Sequence, residues 1–324
     1  APFALVPYGL LQGWDGLIHF VLLPRETIDA ETALPPSFFS VGQNPSVALQ
    51  YPTLARMWHR GDVRESEPVF VRRISPDELH RPGAIPSRYM PEAFMLTYEE
   101  EVPEGDEYGH LLAAVGKVGN EFVEKPIPHL ERQGLDALLD HDGRVARSLT
   151  GELTWDWGTG YVVVDTPRTQ AVGGYAGGVT IDTTHARIEM ETPYGAVFVT
   201  SLDDDAPIAT SGRLLITALG RARNTGTLYG NAADRTETTD RHATDIRLPP
   251  EHRVAVLGVG TPPILTEPIL GRLSLALDTP GAARAFVLND VGQRTQPLET
   301  RVEGGRLVVD LPGHHRARFI EVTR

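Results

Sequence analysis

The 324-residue chain contains no cysteine. That removes disulfides, thiol catalysis and cysteine-based metal sites together, and it leaves the redox compartment open. Lysine is nearly absent: Lys117 and Lys125 are the only two, so the positive charge is almost all arginine. With a formal charge of −13 and no concentrated basic face, a nucleic-acid partner is not expected, because phosphate binding needs clustered cations that release counterions. No apolar run approaches the ~18 residues of a membrane-spanning helix, so no membrane partner is expected. The first basic residue, Arg25, lies downstream of the apolar N-terminal stretch, unlike the charged start of a signal peptide.

Motifs that announce a mechanism are also missing. There is no Walker A loop, no dinucleotide fingerprint opening a helix after a strand, and no HExxH pair. The Gly-rich "AVGGYAGGVT" lies between predicted strands with no helix to supply an N-terminal dipole, so it reads as a tight hairpin and not as a phosphate cradle. The eleven histidines are scattered, and the adjacent His314 and His315 would face opposite sides of a strand. No metal site and no cofactor are expected. The three carboxylates Asp203, Asp204 and Asp205, followed by Pro207, read as a hydrogen-bonded turn, with loop-bound calcium as the rival.

What is present is a chain of 26 prolines and 32 glycines, which favours short strands and many turns. Residues 1–75 mix a buried strand with helix. "PYGLLQGWDGLIHFVL" carries apolar residues on both faces, as a strand covered on two sides does. In "NPSVALQYPTLARMWHRGD", Asn44 caps, Pro45 takes the first helical position, and Val47, Tyr51, Leu54 and Trp58 recur along one face; Pro52 kinks or splits the helix. Residues 76–150 form a mixed connecting segment. "SPDELHRPG" predicts a short helix, the acidic run "YEEEVPEGDEYG" a solvated loop, and "HLERQGLDALLDHDG" a short helix ending at Gly143. From Gly151 onward, segments such as "GYVVVDT", "AVFVTS", "RLLITAL", "RLSLALD", "RLVVDL" and "RFIEVTR" predict strands separated by turn residues. The Pro-rich "GTPPILTEP" then divides one β-sandwich domain, 151–262, from a smaller one, 263–324.

Four segments, in order, carry a resemblance: "YGLLQGWDGL" from Tyr8, "WHRGDVRES" from Trp58, "GELTWDWGTGYVVVDTPRTQAVGGYAGG" from Gly151, and "VFVTSLDDDAPIATSGRLLITALGRARNTG" from Val197. Together they resemble clan A retaining glycoside hydrolases of agarase-like or β-galactosidase-like architecture. The resemblance implies a mainly β chain in which the C-terminal end of a (β/α)8 barrel, its last strand and helix, is followed by one or two β-sandwich domains. It implies hydrolysis of a β-linked oligo- or polysaccharide, for which a secreted or periplasmic location is favoured. The two catalytic glutamates of such enzymes would lie upstream of Ala1 with the rest of the barrel, and no catalytic residue is assigned here.

The same resemblance places Gln12, Trp14 and Asp15 at the barrel face where substrate binds, with Trp14 as a wall of the sugar site. Trp155 and Trp157, at i and i+2 of a strand, are further candidates for a sugar contact. Arg168, Arg221 and Arg223 are expected to pair with carboxylates between the β region and the barrel. The alternative function is a non-catalytic carbohydrate-binding or structural module.

Overall fold

The computed structural model describes residues 2–18, 44–79, 111–231, 254–311 and 317–324. His314, His315 and the acidic run, three of the features discussed above, lie outside them, as does the end of the first predicted strand, His19 to Leu22.

The first element corrects the sequence reading. Pro2–Leu11 is a helix, α1, and no strand follows it through Ile18. Pro2 opens it, where a missing N–H costs nothing. It closes on a Schellman turn: Gly13 sits at φ 68°, its N–H donates to Leu10 O, and Trp14 N–H donates to Gly9 O. The "LQGWD" stretch is therefore a helix end and not a barrel strand. A ten-residue helix that buries Phe3, Val6 and Leu11 shows apolar residues on both alternating faces, which periodicity alone does not separate from a strand.

The next helices follow the sequence closely. Asn44 caps α2 (Pro45–Ala48) by accepting from Ser46 N–H at 3.0 Å, and Pro52 lies in the first turn of α3 (Tyr51–Arg60), which splits the two. Two short helices complete the set, α4 (Pro76–Leu79) and α5 (Leu112–Val115). The predicted helix over 129–143 is not there. Leu130–Glu131 and Leu139–Asp140 are strands around a turn, tied by pairing to their neighbours.

The body of the molecule is mainly β. A ten-stranded antiparallel sheet runs in spatial order β19 (Arg294–Leu298), β18 (Arg284–Leu288), β22 (Phe319–Thr323), β12 (Arg213–Leu219), β11 (Gly195–Ser201), β8 (Thr169–Gly174), β7 (Tyr161–Asp165), β6 (Leu153–Asp156), β5 (Val145–Arg147) and β4 (Leu139–Asp140). Facing it is a five-stranded sheet, β20 (Arg301–Glu303), β21 (Arg306–Leu311), β17 (Gly271–Leu275), β10 (Ala186–Met190) and β9 (Thr180–Asp182). A three-stranded sheet, β2 (Lys117–Phe122), β1 (Pro68–Ile74) and β3 (Leu130–Glu131), lies beside them, with β1 and β2 parallel. Two hairpin-like pairs complete the set, β13 (Ala222–Thr225) with β16 (Thr261–Thr266) and β14 (Leu228–Asn231) with β15 (Val254–Gly258).

This topology merges the two predicted sandwiches. Strand β22 pairs with β12, and β17 pairs with β10, so strands from either side of residue 262 join edge to edge within both sheets. They share one core, in which Val197, Ile188 and Ile216 meet Leu273, Val309 and Ile320. Glu321 on β22 reinforces the join, accepting from Arg213 of β12 at 2.7 Å and Arg294 of β19 at 2.6 Å. The Arg294 hydrogen bond chiefly, with Arg213, holds its carboxyl below the usual carboxylate range.

The outer face of the large sheet is covered by helices. Phe3 and Val6 of α1, with Leu54 and Met57 of α3, bury against Val162, Val164, Ala171, Ala196 and Phe198. The Phe3 and Phe198 rings meet at 4.9 Å between centroids. Because both faces are covered, all seven positions of β11 are buried, and Ala196 to Val199 are apolar without alternation. The "AVGGYAGGVT" stretch is not a hairpin. It leaves the large sheet at β8 and enters the small one at β9.

Candidate functional site

Three of the four segments singled out in the sequence converge on one buried polar cluster. Helix α3 ends on Gly61 at φ 59°, with Gly61 N–H donating to Trp58 O and Asp62 N–H to Met57 O, a second Schellman turn. That turn delivers the Asp62 carboxylate into a fully buried position. Arg60 Nη2 donates to Asp62 Oδ2 at 2.6 Å, and Thr169 Oγ1 donates to the same oxygen at 2.7 Å. Arg168 Nε pairs with Asp62 Oδ1 at 3.1 Å, while its Nη2 donates to Arg60 O. Arg60 also reaches Ser201 O and Thr200 Oγ1 on β11. Burial lowers the Arg60 guanidinium from its ordinary value, with Asp62 opposing the shift and the like charges of Arg56 and Arg168 adding to it. Arg64 clamps Glu152 through its backbone N–H and its Nε, both at 2.8 Å.

A cavity of about 640 Å³ opens beside this cluster, bordered by Asp62, Glu152, Asp165 and His185. Its geometry is that of a brace and not of a reaction centre. Asp62 and Glu152 are held by arginines, and Asp165 accepts from Thr184 N–H, Thr184 Oγ1 and Gln170 Nε2. A general acid or nucleophile needs a carboxyl facing its substrate; Asp62, Glu152 and Asp165 are already committed, whereas Asp205, also on the border, is exposed. Among the described residues, no group of three or more His, Asp or Glu is placed to hold a metal ion.

Of the residues expected to bind substrate, Gln12 is buried and fully engaged with backbone. Its Nε2 donates to Ala113 O and Gly116 O, and its Oε1 accepts from Val118 N–H, so it ties the end of α1 to α5 and β2. Trp14 is 47% exposed and lies with Trp58 over Gly9, where even a methyl group would come within 3.0 Å of the Trp14 ring. Asp15 is exposed next to it. Trp155 and Trp157 do fall on one side, as an edge-to-face pair 6.2 Å apart, half-buried against the core.

Asp203 and Asp204 of the acidic turn are occupied by protein donors. Asp203 accepts from Gly212 N–H and Ser211 Oγ, and Asp204 pairs with Arg56. Arg168 does bridge the β region to the helical segment through Asp62, as expected. Arg221 instead pairs with Glu267 inside the β region.

A second feature escaped the sequence reading. Between α2 and the outer face of the large sheet lies a groove of about 460 Å³. Gly160, Gly174 and Gly220 contribute backbone to its lining, Phe3 lies over Gly173 beside them, and Trp155, Tyr161, Tyr194 and Tyr229 border it. The glycines are demanded by packing: Gly174 adopts φ 125°, and a Cβ there would lie 2.2 Å from Gly160 O. Tyr175 braces Tyr194 edge-on at 4.8 Å. Burial first, then the neighbouring Tyr175, raises the Tyr194 phenol, while Arg221 opposes. The available signal was a repeated neighbour pair, since Tyr161, Tyr175, Tyr194 and Tyr229 each adjoin a glycine in sequence. No protein-family model, curated protein or solved structure matches this chain.

Proposed function

We propose that this chain is the C-terminal portion of a glycoside hydrolase acting on a β-linked oligo- or polysaccharide, with its catalytic glutamates upstream of residue 1. One observation supports the reading above others. The segments "RGDV", "TPRTQ" and "VTSLD" carry the resemblance from positions 31 to 140 residues apart, and they meet at Asp62, Arg168, Thr169 and Thr200. A shared motif set that builds one junction is what a common architecture produces, whereas unrelated local likenesses would be scattered. In this reading α1 and α3 belong to the outer layer of the barrel, and the brace fixes that layer on the sandwich. Retaining hydrolysis needs two carboxyls about 5–5.5 Å apart across the scissile bond. At the cluster Asp62, Glu152 and Asp165 are held by protein donors, and this reading puts the catalytic pair elsewhere.

The test is to read the coding sequence upstream of Ala1, express the extended chain, and assay it on aryl β-glycosides beside residues 1–324. Turnover by the extended chain and none by the shorter one is expected. A start codon directly upstream of Ala1 would sink the proposal. So would turnover by residues 1–324 that is lost on replacing one of their own acidic residues.

The alternative, a non-catalytic carbohydrate-binding role for the β-sandwich, is favoured by the tyrosine-walled groove. The two roles are compatible within one enzyme.

A further inference from the structure

We propose that the groove between α2 and the large sheet is a binding site for a neutral saccharide, separate from any catalytic centre in a barrel. That its ligand is a sugar rests on the function proposed above; that it is a ligand site rests on its own geometry.

Three features point the same way. Aromatic rings beside glycine backbone and small apolar side chains suit a flat, rigid ligand with apolar faces, and a pyranose ring presents C–H faces of that kind. The volume, about 460 Å³, falls within the ~300–1,000 Å³ typical of small-ligand sites. Charge then narrows the class. Among the described residues, Arg221 is the one charged residue on the wall, and it is neutralised by Glu267 through Nε at 2.8 Å and Nη2 at 3.2 Å. An anionic sugar finds no free cation there, and a cationic one finds no carboxylate on the wall.

Hydrogen-bonding capacity is also left over. Gln50 is only 7% exposed and borders the groove, and its Nε2 donates to Ser46 O at 2.7 Å. Its Oε1 has no hydrogen-bond partner, nor does the buried Oγ of the neighbouring Ser46. A buried unpaired acceptor costs roughly 1–3 kcal/mol, so two at one groove are not expected of a surface that meets no ligand. Sugar hydroxyls donate and accept, and small shifts of α2 would bring them within reach of both atoms.

The test is calorimetric titration of the full chain with neutral β-linked tetrasaccharides of glucose, galactose and agarose, with a tetragalacturonate as the charged control. At least one neutral sugar should bind, and the charged control should bind more weakly. Tyr229→Ala, at a half-exposed wall position, should weaken binding about tenfold, the loss of one ring contact. Ser46→Ala should weaken it about threefold while raising the melting temperature of the free chain, since it removes a buried unpaired hydroxyl.

No binding by any neutral sugar at ~10 mM, a concentration that populates millimolar sites, would overturn the proposal. So would binding that both variants leave intact, or a preference for the charged control. The hydrolase reading stands or falls separately. Turnover of aryl glycosides by the upstream-extended chain should survive Tyr229→Ala, so a failed groove with retained turnover removes only the groove.

Discussion

Asp62 shows what a single residue carries in this protein. Its carboxylate is fully buried and answers two arginines and a threonine hydroxyl drawn from the end of α3, the turn before β8 and β8 itself. Asp62→Asn would keep the shape and leave Arg60 and Arg168 facing each other without a counter-charge. Breaking one member of a buried ion pair costs about 3–5 kcal/mol, so chemical denaturation should show a loss of that size. A loss below ~1 kcal/mol would mean that water already screens the cluster. Gln12 teaches the complementary lesson. A glutamine beside a tryptophan and an aspartate suggests a binding site, but all of its donors and acceptors used here go to backbone groups of a segment a hundred residues away. Residue type was legible there, and partner was not.

At the scale of elements, the helices from Asn44 to Gly61 were readable because each boundary is local. Asn44 caps, Pro45 and Pro52 open first turns, and Gly61 takes the left-handed conformation at the end. Helix α1 was misread because its boundary signal, Gly13, was taken as part of a strand, and its apolar content fits either period. The docking of α1 is testable. Gly173 on β8 lies under the Phe3 ring, and a Cβ there would come within 2.7 Å of it. Gly173→Ala should cost about 1–3 kcal/mol by overpacking. Phe3→Ala should cost about 3–5 kcal/mol by leaving a cavity. The double variant should be clearly less destabilised than the sum, because each change relieves the other. Additive losses, measured by urea unfolding, would place Phe3 away from β8.

For the whole molecule, the consequence of two sheets that each run across residue 262 is cooperativity. The four tryptophans, Trp14, Trp58, Trp155 and Trp157, all precede residue 158, so their fluorescence reports on the helical layer and the near end of the large sheet. Far-UV circular dichroism reports on all strands, including β17 to β22. If the strands beyond residue 262 complete the same two sheets, the two probes should give coincident urea transitions. Separate midpoints would restore a boundary near residue 262. A chain cut there should leave β12 and β10 as bare edges, and edges of that length aggregate.

The strand segments from Gly151 onward, the capped helices and the absence of free thiols were determined by the sequence itself, since each depends on residues within a few positions of one another. The pairing of β22 with β12, the switch of "AVGGYAGGVT" from one sheet to the other, the burial of Asp62 between distant arginines and the tyrosine-walled groove were decided only by tertiary structure. Those features join groups tens to hundreds of residues apart. Local propensity and periodicity say which residues want to be buried or paired, but long-range packing alone selects the partner.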